Sequence, residues 1–253
     1  MLIKKKVLIP LMFCMLTSCN YKTWQKVEAA SDKISIDSTT DILIDKEYEA
    51  FLQPIKQKID AGMNRVIGET LVDLKSYAPE SPLSNFCADV FRQTASEFLN
   101  EKIDIGIVNL GSLRAIIPAG KITVRQIFEL MPFENELVVL WLKGDKLEKL
   151  LQYFASIGGE GISGIHMTIK NGKAESILVD NQPLDPEKTY VIATSDYLAE
   201  GNDNMIQLAE YEKRIDTGLK IRDILISHIQ AENQKGNKIQ SKTDGRITII
   251  QAL

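Results

Sequence analysis

The run from Ser81 to Arg114 constrains this chain most, because it specifies a capped helix, a strand and a polar loop in immediate succession. Ser81 can accept a hydrogen bond from a first-turn amide, and Pro82 stands at the first helical position, where its missing N–H removes nothing. Leu83, Phe86, Cys87, Val90, Phe91, Ala95, Phe98 and Leu99 then recur at helical spacing and predict a helix that ends at Asn100. Ile103 to Val108 reads as a strand, and it runs directly into Asn109-Leu110-Gly111-Ser112-Leu113-Arg114.

Other segments carry weaker but consistent signals. Asp45 to Asp60 repeats apolar residues at helical intervals through Tyr48, Phe51, Leu52, Ile55 and Ile59. Met63 to Leu74 alternates around Val66, Ile67, Leu71 and Val72 and predicts a strand. Thr123 and Gln126 have capping-box spacing and open a short helix that ends before Pro132. Leu137 to Leu142 is strongly β-prone, and Lys146 to Ala155 follows Gly144 as a helix. Further strands are expected at 162–169, 175–180, 189–195 and 246–250, with a helix at 219–230. No internal repeat or low-complexity tract interrupts them. Strands in runs with helices between them favour an α+β fold, here a single domain over 46–253 with a mixed β-sheet and packed helices.

The front of the chain is of a different kind. Lys4, Lys5 and Lys6 precede an apolar run from Val7 to Leu16 that is too short to span a bilayer. It ends in Leu16-Thr17-Ser18-Cys19, which looks like a bacterial lipobox, so residues 1–18 are expected to be a lipoprotein signal peptide and Cys19 the lipidated residue. Residues 19–45 are polar and read as a tether. This places the protein at the cell envelope, anchored to a membrane on its periplasmic or surface face. Cys14 leaves with the signal and Cys19 carries lipid, so Cys87 has no disulfide partner and reads as a small core residue. The formal charge of −4 becomes more negative without the three lysines. So acidic a chain is a poor match for a nucleic-acid polymer, whose phosphates demand a basic surface.

Several polar and glycine-containing segments stand in a fixed order: Glu80-Ser81-x-Leu83-x-Asn85 with Ala88-Asp89, then Asn109 to Arg114, Gly120-x-Ile122-Thr123, Pro132-Phe133-x-Asn135, and a glycine turn at Gly158, Gly159 and Gly161. The last is Tyr197 followed by Gly201-Asn202-Asp203. In this order they resemble the C-terminal, substrate-binding domain of the bacterial 5'-nucleotidase and UDP-sugar hydrolase family, over roughly residues 45–250. The resemblance implies a site for a nucleotide or nucleoside. A nucleobase offers two apolar faces and a polar edge, which suits two stacking rings and a hydrogen-bonding side chain. Carried over by position, Phe133 and Tyr197 would be the rings, and Asn135 would read the base edge. Asp203 would accept ribose hydroxyls, Arg114 would meet a phosphate or ribose-side oxygen with its forked donors, and Gly159 would line the substrate. Taken without the resemblance, Phe133 after a proline reads as a core plug, and Gly-Asn-Asp-Asn as an ordinary turn.

Two departures from the family stand out. Tyr77 occupies a position where the family often has an arginine, and Tyr197 replaces a common phenylalanine. The family's chemistry also belongs to a separate metallophosphatase domain. A two-metal centre needs several converging His, Asp and Asn ligands. This chain has two histidines, His166 and His228, neither at ligand spacing. No catalytic or metal-binding residue is therefore expected here. The divalent metals would belong to a separately encoded phosphatase partner, the alternative being a stand-alone nucleoside- or nucleotide-binding envelope lipoprotein.

Overall fold

The computed structural model describes residues 30–35 and 45–250. The expected signal peptide, Cys19 and most of the tether lie outside the described residues. The chain divides into a unit of residues 1–52 and a unit of residues 53–253, and the sheets and core all belong to the second. Across the division runs helix α1, Lys46–Met63, slightly longer than its apolar spacing suggests. It buries none of its residues. Among the described residues no helix is long and apolar enough to cross a membrane.

The second unit is α+β. Its elements after α1 are β1 (Val66–Thr70), α2 (Pro82–Leu99), β2 (Ile105–Val108), β3 (Gly120–Thr123), α3 (Val124–Leu130), β4 (Glu136–Lys143) and α4 (Gly144–Ser156). There follow β5 (Gly161–Ser163), β6 (Ile165–Lys170), β7 (Lys173–Val179), β8 (Gln182–Pro183), β9 (Thr189–Ser195), α5 (Asp196–Ala199), β10 (Lys213–Lys220), α6 (Ile221–Gln234) and β11 (Ile247–Ile250). A five-stranded sheet runs β10-β4-β9-β2-β5, a four-stranded sheet β11-β6-β7-β8, and β1 pairs with β3.

Both capping predictions hold in detail. The Ser81 hydroxyl accepts from Ser84 N–H while Ser84 Oγ accepts from Ser81 N–H, and Thr123 and Gln126 make the same reciprocal pair. Helix α2 ends on Asn100 in the left-handed region, which asparagine tolerates better than most residues. Strand β4 explains its own unbroken apolar run, because it lies inside the five-stranded sheet with both faces covered. Leu137 and Val139 point into a core shared with α2, α3 and α6, whereas Val138, Leu140 and Leu142 point into one shared with α4 and the four-stranded sheet.

Two expectations need correction, and one strand is new. The strand expected over Met63 to Leu74 is confined to Val66–Thr70, since α1 extends to Met63 and the chain bends after Thr70. The single strand expected at 162–169 is two strands in different sheets, with Gly164 between them at a φ of +82°. At that hinge a side chain would collide with the Asp104 carbonyl, so only glycine fits. Strand β10 was not expected at all. It is a polar edge strand pairing with β4, and its stability comes from that long-range partner rather than from its own residues.

Candidate functional site

Strands β2 and β9 are parallel neighbours, and β4 runs antiparallel beside β9. The carboxyl ends of β2 and β9 therefore meet the start of β4 at one rim of the sheet, where ligands of open α/β sheets commonly bind. Each of these ends delivers a loop. The loop after β2 carries Asn109, Gly111, Ser112 and Arg114. The segment before β4 carries Phe133 and Asn135, and α5 with its following turn carries Tyr197 and Asp203. These eight residues line one cleft of about 340 Å³. Beneath it a crevice of about 10 Å³ reaches down between Phe91, Met131, Leu198 and Ile221, so the cleft floor rests on the core.

The two rings stand open to the cleft. Phe133 is 47% exposed and Tyr197 41% exposed, and neither stacks on another aromatic among the described residues. Phe133 is thus a wall and not a core plug. Arg114 is exposed, donates to the Gly111 carbonyl at 3.3 Å and makes no ion pair with an acid of the described residues, which leaves most of its donor fork available.

Asp203 is held from three sides. The Tyr197 hydroxyl donates to Oδ1 at 2.9 Å, Asn109 Nδ2 donates to Oδ2, and the Tyr153 hydroxyl donates to the Asp203 carbonyl at 3.0 Å. Asp203 and Asn204 both have positive φ, a turn geometry that Asp and Asn accept through local hydrogen bonding. The Tyr197 hydroxyl is what distinguishes it from the phenylalanine common in the family. Here that hydroxyl fixes the ring to the carboxylate and raises its own pKa by doing so.

The Phe133 segment is clamped from α6. Arg222 is buried and lies over the Phe128 ring at 3.9 Å. Its Nη1 donates to the carbonyls of Met131 and Phe133 at 3.5 Å, and its Nη2 pairs with Glu134, holding that carboxyl below its ordinary range. Ile221 N–H donates to the Asn135 carbonyl at 2.9 Å, and Lys220 Nζ to the Glu134 carbonyl at 3.0 Å. Arg222 was not singled out from the sequence. An arginine opening a helix 89 residues from its acceptor carries no local sign of that contact.

The structure thus brings Arg114, Phe133, Asn135, Tyr197 and Asp203 together, and it places Gly159 elsewhere. Gly159 is buried and outside the cleft lining, at a point where a Cβ would come within 2.5 Å of the Pro79 carbonyl. It packs a turn and does not line the cleft. That turn instead presents Glu160, whose Oε2 accepts from Leu110 N–H at 2.7 Å. Burial pushes the Glu160 carboxyl up to about 7, with Asp203 adding to the rise and the amides of Leu110 and Gly161 opposing it. The sequence reading missed Glu160 as well.

The helix-opening residues have a different task. Glu80 is buried, and its Oε1 accepts from Asn85 Nδ2 and Asp244 N–H, both at 2.7 Å, while Oε2 accepts from Gly245 N–H at 3.1 Å. Asp89 receives a two-pronged bond from Arg246 at 2.8 and 2.7 Å, and the Ser163 hydroxyl at 2.6 Å. This motif fastens the C-terminal segment to α2 and touches no residue of the cleft wall. Cys87 sits among core side chains, where burial pushes its thiol up and keeps it inert. His228 packs edge-on against Phe86 at 5.7 Å, and His166 is exposed on β6. Among the described residues no group of three or more His, Cys, Asp or Glu converges as metal ligands would.

An α+β domain with an aromatic-walled, polar-edged cleft at its parallel strand ends has the form that small-ligand sites commonly take. Comparison with known proteins makes the class specific. Residues 66–210 match the family described as 5'-nucleotidase, C-terminal domain, and since this is more than half the chain, the protein belongs to that family. An apyrase of Tabanus yao is 29% identical over 171 residues, covering 59% of this chain and 30% of that protein. Protein UshA of Yersinia enterocolitica is 27% identical over 225 residues, covering 83% of this chain and 38% of that protein. A 5'-nucleotidase precursor from Thermus thermophilus superposes with a TM-score of 0.69 at 27% identity, over 80% of this chain and 42% of that one. The chain therefore spans less than half the length of each of these relatives.

Proposed function

We propose that this chain is a nucleotide- or nucleoside-recognition domain that works with a separately encoded dimetal phosphatase, the chain holding the substrate and the partner supplying metals and activated water. One observation carries the reading: Phe133 and Tyr197 stand exposed in the same cleft as Asn135, Asp203 and Arg114. Rings for a base, an amide for its edge, a carboxylate for hydroxyls and an exposed guanidinium for an oxyanion make a coherent set of contacts. The relatives, an apyrase and a 5'-nucleotidase precursor, support a nucleotide as the ligand class. We further propose that Cys19 anchors the protein by lipid at the envelope. Mixing the purified chain with a metallophosphatase chain encoded beside it should hydrolyse AMP when neither chain alone does so. Failure of an authentic partner to gain activity from the chain removes this reading.

A second reading, a stand-alone nucleoside-binding lipoprotein, is favoured by Tyr77, which is 49% exposed where the family often has an arginine. Calorimetry separates the two. A domain that presents nucleotides should bind AMP more tightly than adenosine, whereas a nucleoside binder should gain nothing from the phosphate.

A further inference from the structure

We infer that Glu160 is the positioning residue of the cleft, its ionised carboxylate holding the Asn109–Arg114 loop in the form that binds ligand, so that affinity rises as Glu160 releases its proton. Only the affinity half of this statement rests on the nucleoside reading. The hold on the loop does not.

The geometry begins with how tightly Glu160 itself is placed. It stands between Gly159, where a Cβ would come within 2.5 Å of the Pro79 carbonyl, and Gly161, where a Cβ would come within 2.5 Å of Val108 Cγ1 and 2.7 Å of the Val108 carbonyl. Both neighbours are therefore closely packed with no room for a side chain, and the carboxylate between them reaches the end of β2. There Oε2 takes the N–H of Leu110, the first residue of the short 3-10 turn Leu110–Ser112. The residue before Leu110 is Asn109, which donates to Asp203, and Arg114 lies four residues beyond. Glu160 thus fixes the first amide of the loop that contributes four of the eight cleft residues, while Asp203 holds its start at Asn109 and the Leu130 carbonyl accepts from Arg114 N–H at its end, at 2.9 Å.

The carboxyl is partly buried and faces acidic company. Asp203 is the charged group acting on it, and the titratable groups behind Asp203 are Tyr197 and Tyr153, each of which donates a hydroxyl hydrogen bond to that residue. With burial as the larger cause and Asp203 as the smaller, the proton leaves at about pH 7. An ionised acceptor makes a shorter and stronger bond to an N–H than a neutral carboxyl does. Deprotonation therefore tightens the loop, and protonation loosens its first residue within the ordinary physiological range.

Adenosine is the probe of choice because it carries no charge to be repelled by Glu160. The purified chain should bind it about fivefold more tightly at pH 8 than at pH 5.5, and Glu160→Gln should flatten this dependence. In the ligand-free chain, the Leu110 amide proton should move downfield by NMR with one midpoint near 7, a response that Glu160→Gln removes. A Leu110 amide insensitive to pH, or a Gln variant that keeps the pH profile of adenosine binding, overturns the inference. A titrating Leu110 in a chain that binds no adenosine at any pH upholds the carboxylate's grip on the loop and overturns the nucleoside reading instead. The wild-type titration needs no variant, so a misfolded Glu160→Gln protein does not rescue the inference.

Discussion

Phe133→Ala separates the role of a binding surface from that of a core side chain, and the structure supplies both magnitudes. Fully burying a phenylalanine is worth about 1.5–3 kcal/mol, and Phe133 is 47% exposed, so roughly half of that, about 1 kcal/mol, is at stake. No cavity penalty is added, because the truncated volume opens into the cleft and fills with water. For a domain of this size about 1 kcal/mol corresponds to a fall of about 2–4 °C in melting temperature. A core plug would lose about 3–5 kcal/mol and melt far lower. The binding effect runs the other way. Removal of one stacking face should weaken a bound base by about 1–3 kcal/mol, or roughly ten- to hundredfold. Differential scanning calorimetry and titration calorimetry with adenosine, on one preparation of the variant, measure both. A melting temperature lower by more than about 10 °C with adenosine affinity unchanged would refute the stacking role.

Three further outcomes are expected. Arg222→Met keeps much of the packing on Phe128 but frees the Met131 and Phe133 carbonyls, so stability should fall by about 1–3 kcal/mol and adenosine affinity with it; unaltered affinity in a destabilised protein would show that the clamp does not shape the cleft. Because the folded state raises the Glu160 pKa from 4.5 to about 7, this carboxyl's contribution is complete below pH 4.5, is lost as pH rises to about 7, and is level above that. Wild type should therefore lose about 3 kcal/mol against Glu160→Gln between pH 4.5 and 7.5, and urea unfolding that shows a constant difference across this range would contradict the shift. Cys19→Ser should abolish lipid attachment, and a substituted protein that still partitions into detergent after signal cleavage would rule out the anchor.

What the sequence discloses here is whatever is local. Ser81 and Thr123 announce their helices because a cap and its partner lie three residues apart. The apolar run of β4 gives itself away through the burial of both its faces. Five of the six proposed ligand-site positions converge in the cleft because order along the chain is a strong guide once a family pattern is met. Gly159 fails for an instructive reason: a glycine required by a close backbone approach and one required by a ligand look identical in sequence. Strand β10, Arg222 and Glu160 were missed for the complementary reason. Their partners lie across the fold, and nothing in Lys213–Lys220 or in Gly-Glu-Gly says which strand or amide awaits them.

The seat made by Glu80 and Asp89 has a consequence for the order in which the protein comes into being. Helix α2 is synthesised well before its partners, since the amides that answer Glu80 and the guanidinium that answers Asp89 belong to residues 244–246. Until residues 244 and 245 emerge the Glu80 carboxylate lacks these backbone donors, and burying it then would leave it without them. The native arrangement can close only once residues 244–246 have left the ribosome. In a nascent chain of this design the seat stays open until a segment more than 150 residues downstream arrives, which suits a protein we propose crosses a membrane before it folds.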